Sequence, residues 1–119
     1  MAYINIEDRR ACSSRHYRAN KDVYKARARA NSKRTRAAVK EFLLAYLQSH
    51  PCVDCGEREA IVLEFDHRSG SNKLFQIGDA NSKNYSLRSV RSEVEKCDVR
   101  CANCHRRATY RRRGLKHRG

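Results

Sequence analysis

Apolar residues recur at helical spacing most clearly over Val39, Phe42, Leu43, Tyr46 and Leu47, which fall at i, i+3, i+4, i+7 and i+8. Lys33, Arg34 and Lys40 lie on the opposite face, so the stretch predicts an amphipathic helix. Asn31 or Ser32 is placed to cap its start, and Pro51 disfavours helix at His50 and ends it. The stripe either packs on the rest of the chain or forms a dimer interface. Upstream, residues 14–30 predict a separate helix with Arg18, Lys21, Lys25 and Arg29 on one face and a weak apolar stripe of Tyr17, Tyr24 and Ala28. Residues 1–12 show little periodicity and are expected to be irregular.

Downstream the period changes. Ile61 to Phe65 is β-branched and apolar, predicting a strand that ends in Asp66-His67. Residues 69–84 are rich in Ser, Asn and Gly and predict a loop, with Leu74 to Ile77 as a short extended piece. Ser86 caps a helix whose Leu87, Val90, Val94 and Cys97 line one side, with Tyr85 and Val90 as a staple across its start. Asp98 to Arg100 predicts a short strand leading into Cys101. A helix follows from Ala102 to about Arg112, and Gly114 punctuates it before a basic tail. Together these give a small α+β fold.

At 119 residues the chain predicts one small domain with appendages. Only 39% of residues are apolar and there is no Trp, so the core is small and calls for a staple such as a structural metal. No apolar run approaches a membrane span, and the N-terminal residues lack a secretory signal. The net charge of +14 is uneven: +8 over residues 1–50, −1 over 51–104 and +7 over 105–119. A near-neutral centre between two basic arms points to a polyanion, with nucleic acid the commonest; solubility alone is the blander explanation.

Cys52-Val53-Asp54-Cys55 and Cys101-Ala102-Asn103-Cys104 are two CxxC pairs, each able to aim two thiolates at one tetrahedral zinc. The gap between them is wider than in a compact zinc ribbon, which loop-closure entropy tolerates. CxxC pairs without an export signal favour metal over disulfides and a reducing compartment. Cys97, on an apolar face, reads as a buried thiol rather than a fifth ligand, and Cys12 as incidental. His16, His50 and His117 read as surface residues.

Asp66, His67 and His105 supply a second chemistry. Asp66 and His105 offer an anionic oxygen and an imidazole, a pair suited to a divalent cation that handles phosphate. Strand side chains alternate, so His67 faces away from Asp66 and is suited to a general base acting on water. Taken singly, each of these residues is an ordinary surface or strand-end group.

The order Cys-Val-Asp-Cys-Gly, Leu-Glu-Phe-Asp-His, Cys-Ala-Asn-Cys-His over about Tyr46 to Thr109 resembles the HNH endonuclease family, especially its small zinc-stapled phage and prophage members. The resemblance implies a ββα-metal module spanning residues 31–112 with its preceding amphipathic helix, a basic arm over 1–30 and a basic tail over 113–119. It implies His67 as general base, Asp66 and His105 as ligands of a catalytic Mg2+, Mn2+ or other divalent cation, and Cys52, Cys55, Cys101 and Cys104 as a structural zinc site. The reaction implied is single-metal hydrolysis of DNA phosphodiesters to 5′-phosphate and 3′-hydroxyl ends. Arg18, Lys21, Lys25, Arg29, Arg106, Arg107, Arg111, Arg112 and Arg113 are the expected DNA contacts, and Arg68, Lys73 or Arg106 the expected holders of the substrate phosphate. The family's central Asn is replaced here by Lys96, and Asn72, Asn81 and Asn84 are the candidate substitutes. The implied setting is the cytoplasm of a bacterial host, as a monomer or homodimer, with a phage terminase as a possible packaging partner. The competing function is a zinc-containing nucleic-acid-binding protein without catalysis.

Overall fold

The structure, a computed structural model, describes residues 6–114. The described residues form four α-helices, two 3-10 turns and one two-stranded antiparallel sheet. In chain order these are α1 (Ile6–Ala19), α2 (Lys21–Ser49), β1 (Leu63–His67), α3 (Leu87–Val94), β2 (Cys97–Cys101) and α4 (Ala102–Arg113), with the 3-10 turns at Ala60–Val62 and Ile77–Asp79. Two compact units divide at residues 34 and 35. None of the helices among the described residues is long and apolar enough to cross a membrane.

In the first unit the helix boundary falls at Asn20, not at Asn31 or Ser32. The Asn20 side chain donates to the His16 carbonyl at 2.9 Å and its own N–H reaches the carbonyls of His16 and Tyr17, closing α1; its carbonyl then accepts from Tyr24 and opens α2. Asn31 lies inside α2, where its side-chain oxygen accepts from Arg34 instead of capping. Helix already covers residues 6–12, which aperiodicity had suggested would be irregular, and residues 1–5 lie outside the described chain. No residue of α1 is buried, so its helix rests on local bonds and on the stacking of Tyr17 with Tyr24, 5.5 Å between ring centroids. Arg18 thus sits on α1 while Lys21, Lys25 and Arg29 sit on α2, and all four are exposed.

The second unit holds the core. Val39 is buried to 1% exposure, and Phe42, Leu43 and Tyr46 pack with it around Ile77, Ala80, Val90, Val94 and Cys97. The amphipathic stripe of α2 therefore has its partner within this unit. Each fully buried valine contributes roughly 1.5–3 kcal/mol. A second cluster gathers Cys52, Leu63, Val99, Cys101 and Cys104, and Tyr46 and Phe65 pack against both.

The sheet pairs Leu63 with Cys101, Glu64 with Arg100, Phe65 with Val99, Asp66 with Asp98 and His67 with Cys97. Ile61 and Val62 belong to a 3-10 turn rather than to the expected strand, and Ile61 is 85% exposed. Their partner runs out: Cys101, opposite Leu63, is the N-cap of α4. Leu74 to Ile77 forms no strand either; Phe75 is anchored by stacking on Tyr85 at 3.9 Å. Ser86 caps α3 as its sequence implies, its hydroxyl accepting from the Ser89 N–H. That helix ends at Val94, so Cys97 opens β2 instead of closing the helix. Gly114 ends α4 at φ 59°, the left-handed conformation glycine adopts without a Cβ clash. Residues 115–119 of the basic tail, His117 among them, lie outside the described residues.

Candidate active site

Cys52, Cys55, Cys101 and Cys104 converge, their sulfurs all within 4.8 Å of one another, and could hold a metal ion. The first pair sits on a turn where the Gly56 N–H bonds the Cys52 carbonyl and the Cys52 N–H bonds the Glu57 carbonyl, both at 2.9 Å. Gly56 makes this possible with φ 78°. The Val53 N–H bonds Val99 and so fixes the turn to β2. The second pair straddles the start of α4, where Cys101 accepts from the Cys104 N–H. Cys55 and Cys101 sulfurs are 3.7 Å apart, close to the roughly 3.8 Å edge of a tetrahedron with 2.3 Å metal–sulfur bonds and far beyond a disulfide. Burial raises the Cys52 thiol, but backbone N–H groups of Cys101, Cys55 and Asp54 outweigh it and bring it down to about 6. The Cys101 thiol and burial push Cys104 up to about 12. Cys52 thus ionises readily while Cys104 resists, and a cation bound by the four sulfurs would favour the thiolate form. Cys97 lies outside the cluster, its thiol pushed to about 11 by burial and the Glu93 charge, in keeping with a buried thiol.

Asp66, on β1, points toward α4 and is 3% exposed. Arg112 donates to both its oxygens at 2.7 Å, and Arg100 donates to Oδ2 at 2.7 Å. Burial raises the Asp66 carboxyl, but Arg112 and Arg100 overrule it and hold it below the usual carboxylate range. Arg100 also lies 3.5 Å from Asp98, which stands directly opposite Asp66 across the sheet and would otherwise repel it. His105, in the first turns of α4, brings Nε2 to 3.4 Å from Asp66 Oδ1. Its Nδ1 lies 2.8 Å from Glu64 Oε1. The Glu64 carboxylate is an acceptor, so Nδ1–H donates to it and the ring is turned with Nε2 toward Asp66. Asp66 Oδ1 and His105 Nε2 thus lie side by side next to α4, with Asp66 also held by Arg100 and Arg112.

His67 turns the other way, toward α3. Its Nε2 is 2.8 Å from Glu93 Oε2. Glu93 is 1% exposed and fully engaged: Oε2 also accepts from the Leu74 N–H at 3.1 Å, and Oε1 accepts from Lys96 Nζ at 2.8 Å. Lys96 donates a second bond to the Asn72 carbonyl at 2.7 Å, and its own carbonyl accepts from Arg68 N–H. Burial raises the Glu93 carboxyl, and Lys96, Leu74 and His67 together outweigh it, bringing it down to about 2.

The remaining cations are distributed unevenly. Arg106, Arg107, Arg111 and Arg113 are exposed on α4. Arg106 and Arg113 flank a cleft of about 520 Å³ that reaches Glu64 and His105, with Tyr110 on its wall. Arg112, exposed like them, is in addition bound to Asp66 as above. Arg68, just after β1, donates to the Glu95 and Cys97 carbonyls of the segment joining α3 to β2, while Lys73 is exposed.

Glu64, Arg100 and Glu93 are absent from the sequence-based set of site residues. Glu64 had a signal, since it stands two residues before Asp66 on a strand and must share its face. Glu93 had a weaker one, as a charge beside Val90 and Val94 on the apolar side of α3. Arg100 had none beyond its place in β2. No protein-family model, no curated protein and no solved structure matches the chain.

Proposed function

We propose that the chain is a metal-dependent DNA endonuclease of the HNH type, with zinc in the four-cysteine site. One observation carries the reading: Asp66 Oδ1 and His105 Nε2 stand 3.4 Å apart with His105 oriented by Glu64, while the adjacent His67 is held on the other face by a separate carboxylate. A ligand pair and an independent base are what single-metal phosphodiester hydrolysis requires.

Asp66 and His105 would hold the cation, which when bound neutralises charge on the attacked phosphate and on the departing oxygen. Glu64 keeps Nε2 of His105 available by holding Nδ1–H. His67 takes a proton from water as the water oxygen bonds to phosphorus; the P–O3′ bond breaks, the 3′-oxygen takes a proton from solvent, and the phosphate stays on the 5′ end. Arg106 and Arg113, beside the cleft that reaches His105, hold the DNA backbone, and the exposed Arg18, Lys21, Lys25 and Arg29 add sequence-tolerant phosphate contacts.

A second reading is favoured by a specific observation. Arg100 and Arg112 already satisfy both oxygens of Asp66, as a purely structural ion-pair knot would. The chain would then bind nucleic acid through its arginines without cutting it. End-labelled duplex DNA incubated with protein in magnesium, manganese or nickel separates the two. The nuclease produces shortened fragments with 5′-phosphates. A binding protein retards the duplex and leaves it intact in every ion.

A further inference from the structure

The His67 imidazole meets a carboxylate that the reaction as described does not use. Glu93 is among the most buried side chains in the molecule, yet it carries a charge on the apolar face of α3 between Val90 and Val94. A carboxylate in such a place is costly unless its bonds are filled, and its partners come from three segments: His67 on β1, Leu74 in the loop after it, and Lys96 in the turn before β2. Lys96 in turn ties Asn72 of the same loop.

We propose that Glu93 is a positioning residue that fixes His67 in its Nε2–H tautomer, leaving Nδ1 as the nitrogen that accepts the proton. The role as base rests on the nuclease reading; the tautomer does not. An ionised carboxylate can only accept, so the bond at 2.8 Å assigns the ring proton to Nε2. Lys96 supplies the positive charge that balances Glu93, so the ring need not be an imidazolium to keep its partner satisfied. When Nδ1 takes a proton from water, the ring becomes a cation and Glu93 is already in place to stabilise it, the arrangement by which buried acids orient catalytic histidines. Lys96 then has a positive task. It joins Glu93 to the Asn72 carbonyl and so holds the loop against the segment that bears His67.

The test is a long-range 1H–15N correlation spectrum of the full chain at about pH 8, above the ordinary imidazole range. His67 is assigned by its loss in His67→Ala. The expected pattern is a protonated Nε2 and a bare Nδ1. A bare Nε2, or protons on both nitrogens, overturns the proposal whether or not the protein cuts DNA. Glu93→Gln offers an amide that can meet Nε2 with either its oxygen or its NH2, so the Nδ1–H form should appear, with KM nearly unchanged and kcat for plasmid cleavage falling by at least ~10-fold and by no more than the ~10²–10⁴-fold of a lost base. Wild-type tautomer and wild-type kcat in Glu93→Gln would overturn the positioning role. Should Glu93→Gln fail to fold, the wild-type spectrum still decides the tautomer. The expected tautomer in a protein that cuts no DNA in any ion overturns the nuclease reading and the base role with it, leaving the tautomer assignment supported.

Discussion

Arg112 near the end of α4 closes a two-pronged grip on Asp66 of β1, Nη1 to Oδ1 and Nη2 to Oδ2, each at 2.7 Å. The proposed cation would need Oδ1 as a ligand, so Arg112 and the cation compete for one oxygen. Arg112→Ala should therefore raise manganese affinity several-fold by calorimetry. It should also cost about 1–3 kcal/mol of stability, less than a fully broken buried pair because Arg100 still serves Asp66. Unchanged manganese affinity would show that the grip and the cation do not share Asp66.

The four-cysteine cluster ties the turn after α2 to the start of α4. Purified protein should hold about one zinc per chain by elemental analysis. Because the cluster forms only in the folded chain, Cys52→Ser, Cys104→Ser or a strong chelator should unfold the second unit, seen as loss of helical circular dichroism. A folded, zinc-free protein would contradict this.

Much of this was readable in the residues themselves. The Val39 to Leu47 stripe, the Ser86 cap, the CxxC pairs and the helix from Ala102 follow from local chemistry, and the structure has them. The helix boundary near Asn31 failed because an Asn can cap or simply bond within a helix, and Asn20 had the better local bonds. Ile61 and Val62 failed for a tertiary reason: strand propensity needs a partner strand, and Cys101 leaves β2 to cap α4. Glu93 is the deepest case. Its burial is possible only because His67, Leu74 and Lys96 come from separate segments to meet it, and no local pattern encodes that meeting. Glu64, by contrast, was available from strand alternation alone.

Acid should find Glu93. Its folded-state carboxyl lies near 2, below the ordinary 4.5, so it contributes stability that is present above the unfolded value and is lost as pH falls from about 4.5 toward 2. Wild type should lose more stability across that window than Glu93→Gln, measured by urea unfolding at a series of pH values. Equal slopes for the two proteins would show that Glu93 is not held as a carboxylate.

The exposed arginines of α4 should act through phosphate. Arg106→Ala with Arg107→Ala should weaken binding to unrelated duplexes alike and flatten the dependence of log affinity on log salt by about 0.9 for each lost phosphate contact. A loss confined to one DNA sequence would instead mark these residues as base readers.

Cleavage of supercoiled plasmid in manganese by wild type and His67→Ala, under conditions where both proteins bind the DNA, tests the central claim most directly. The wild type should convert the plasmid to nicked or linear forms, and His67→Ala should do so ~10²–10⁴-fold more slowly. No conversion by the wild type, or equal rates from the two, would contradict a nuclease that uses His67 as its base.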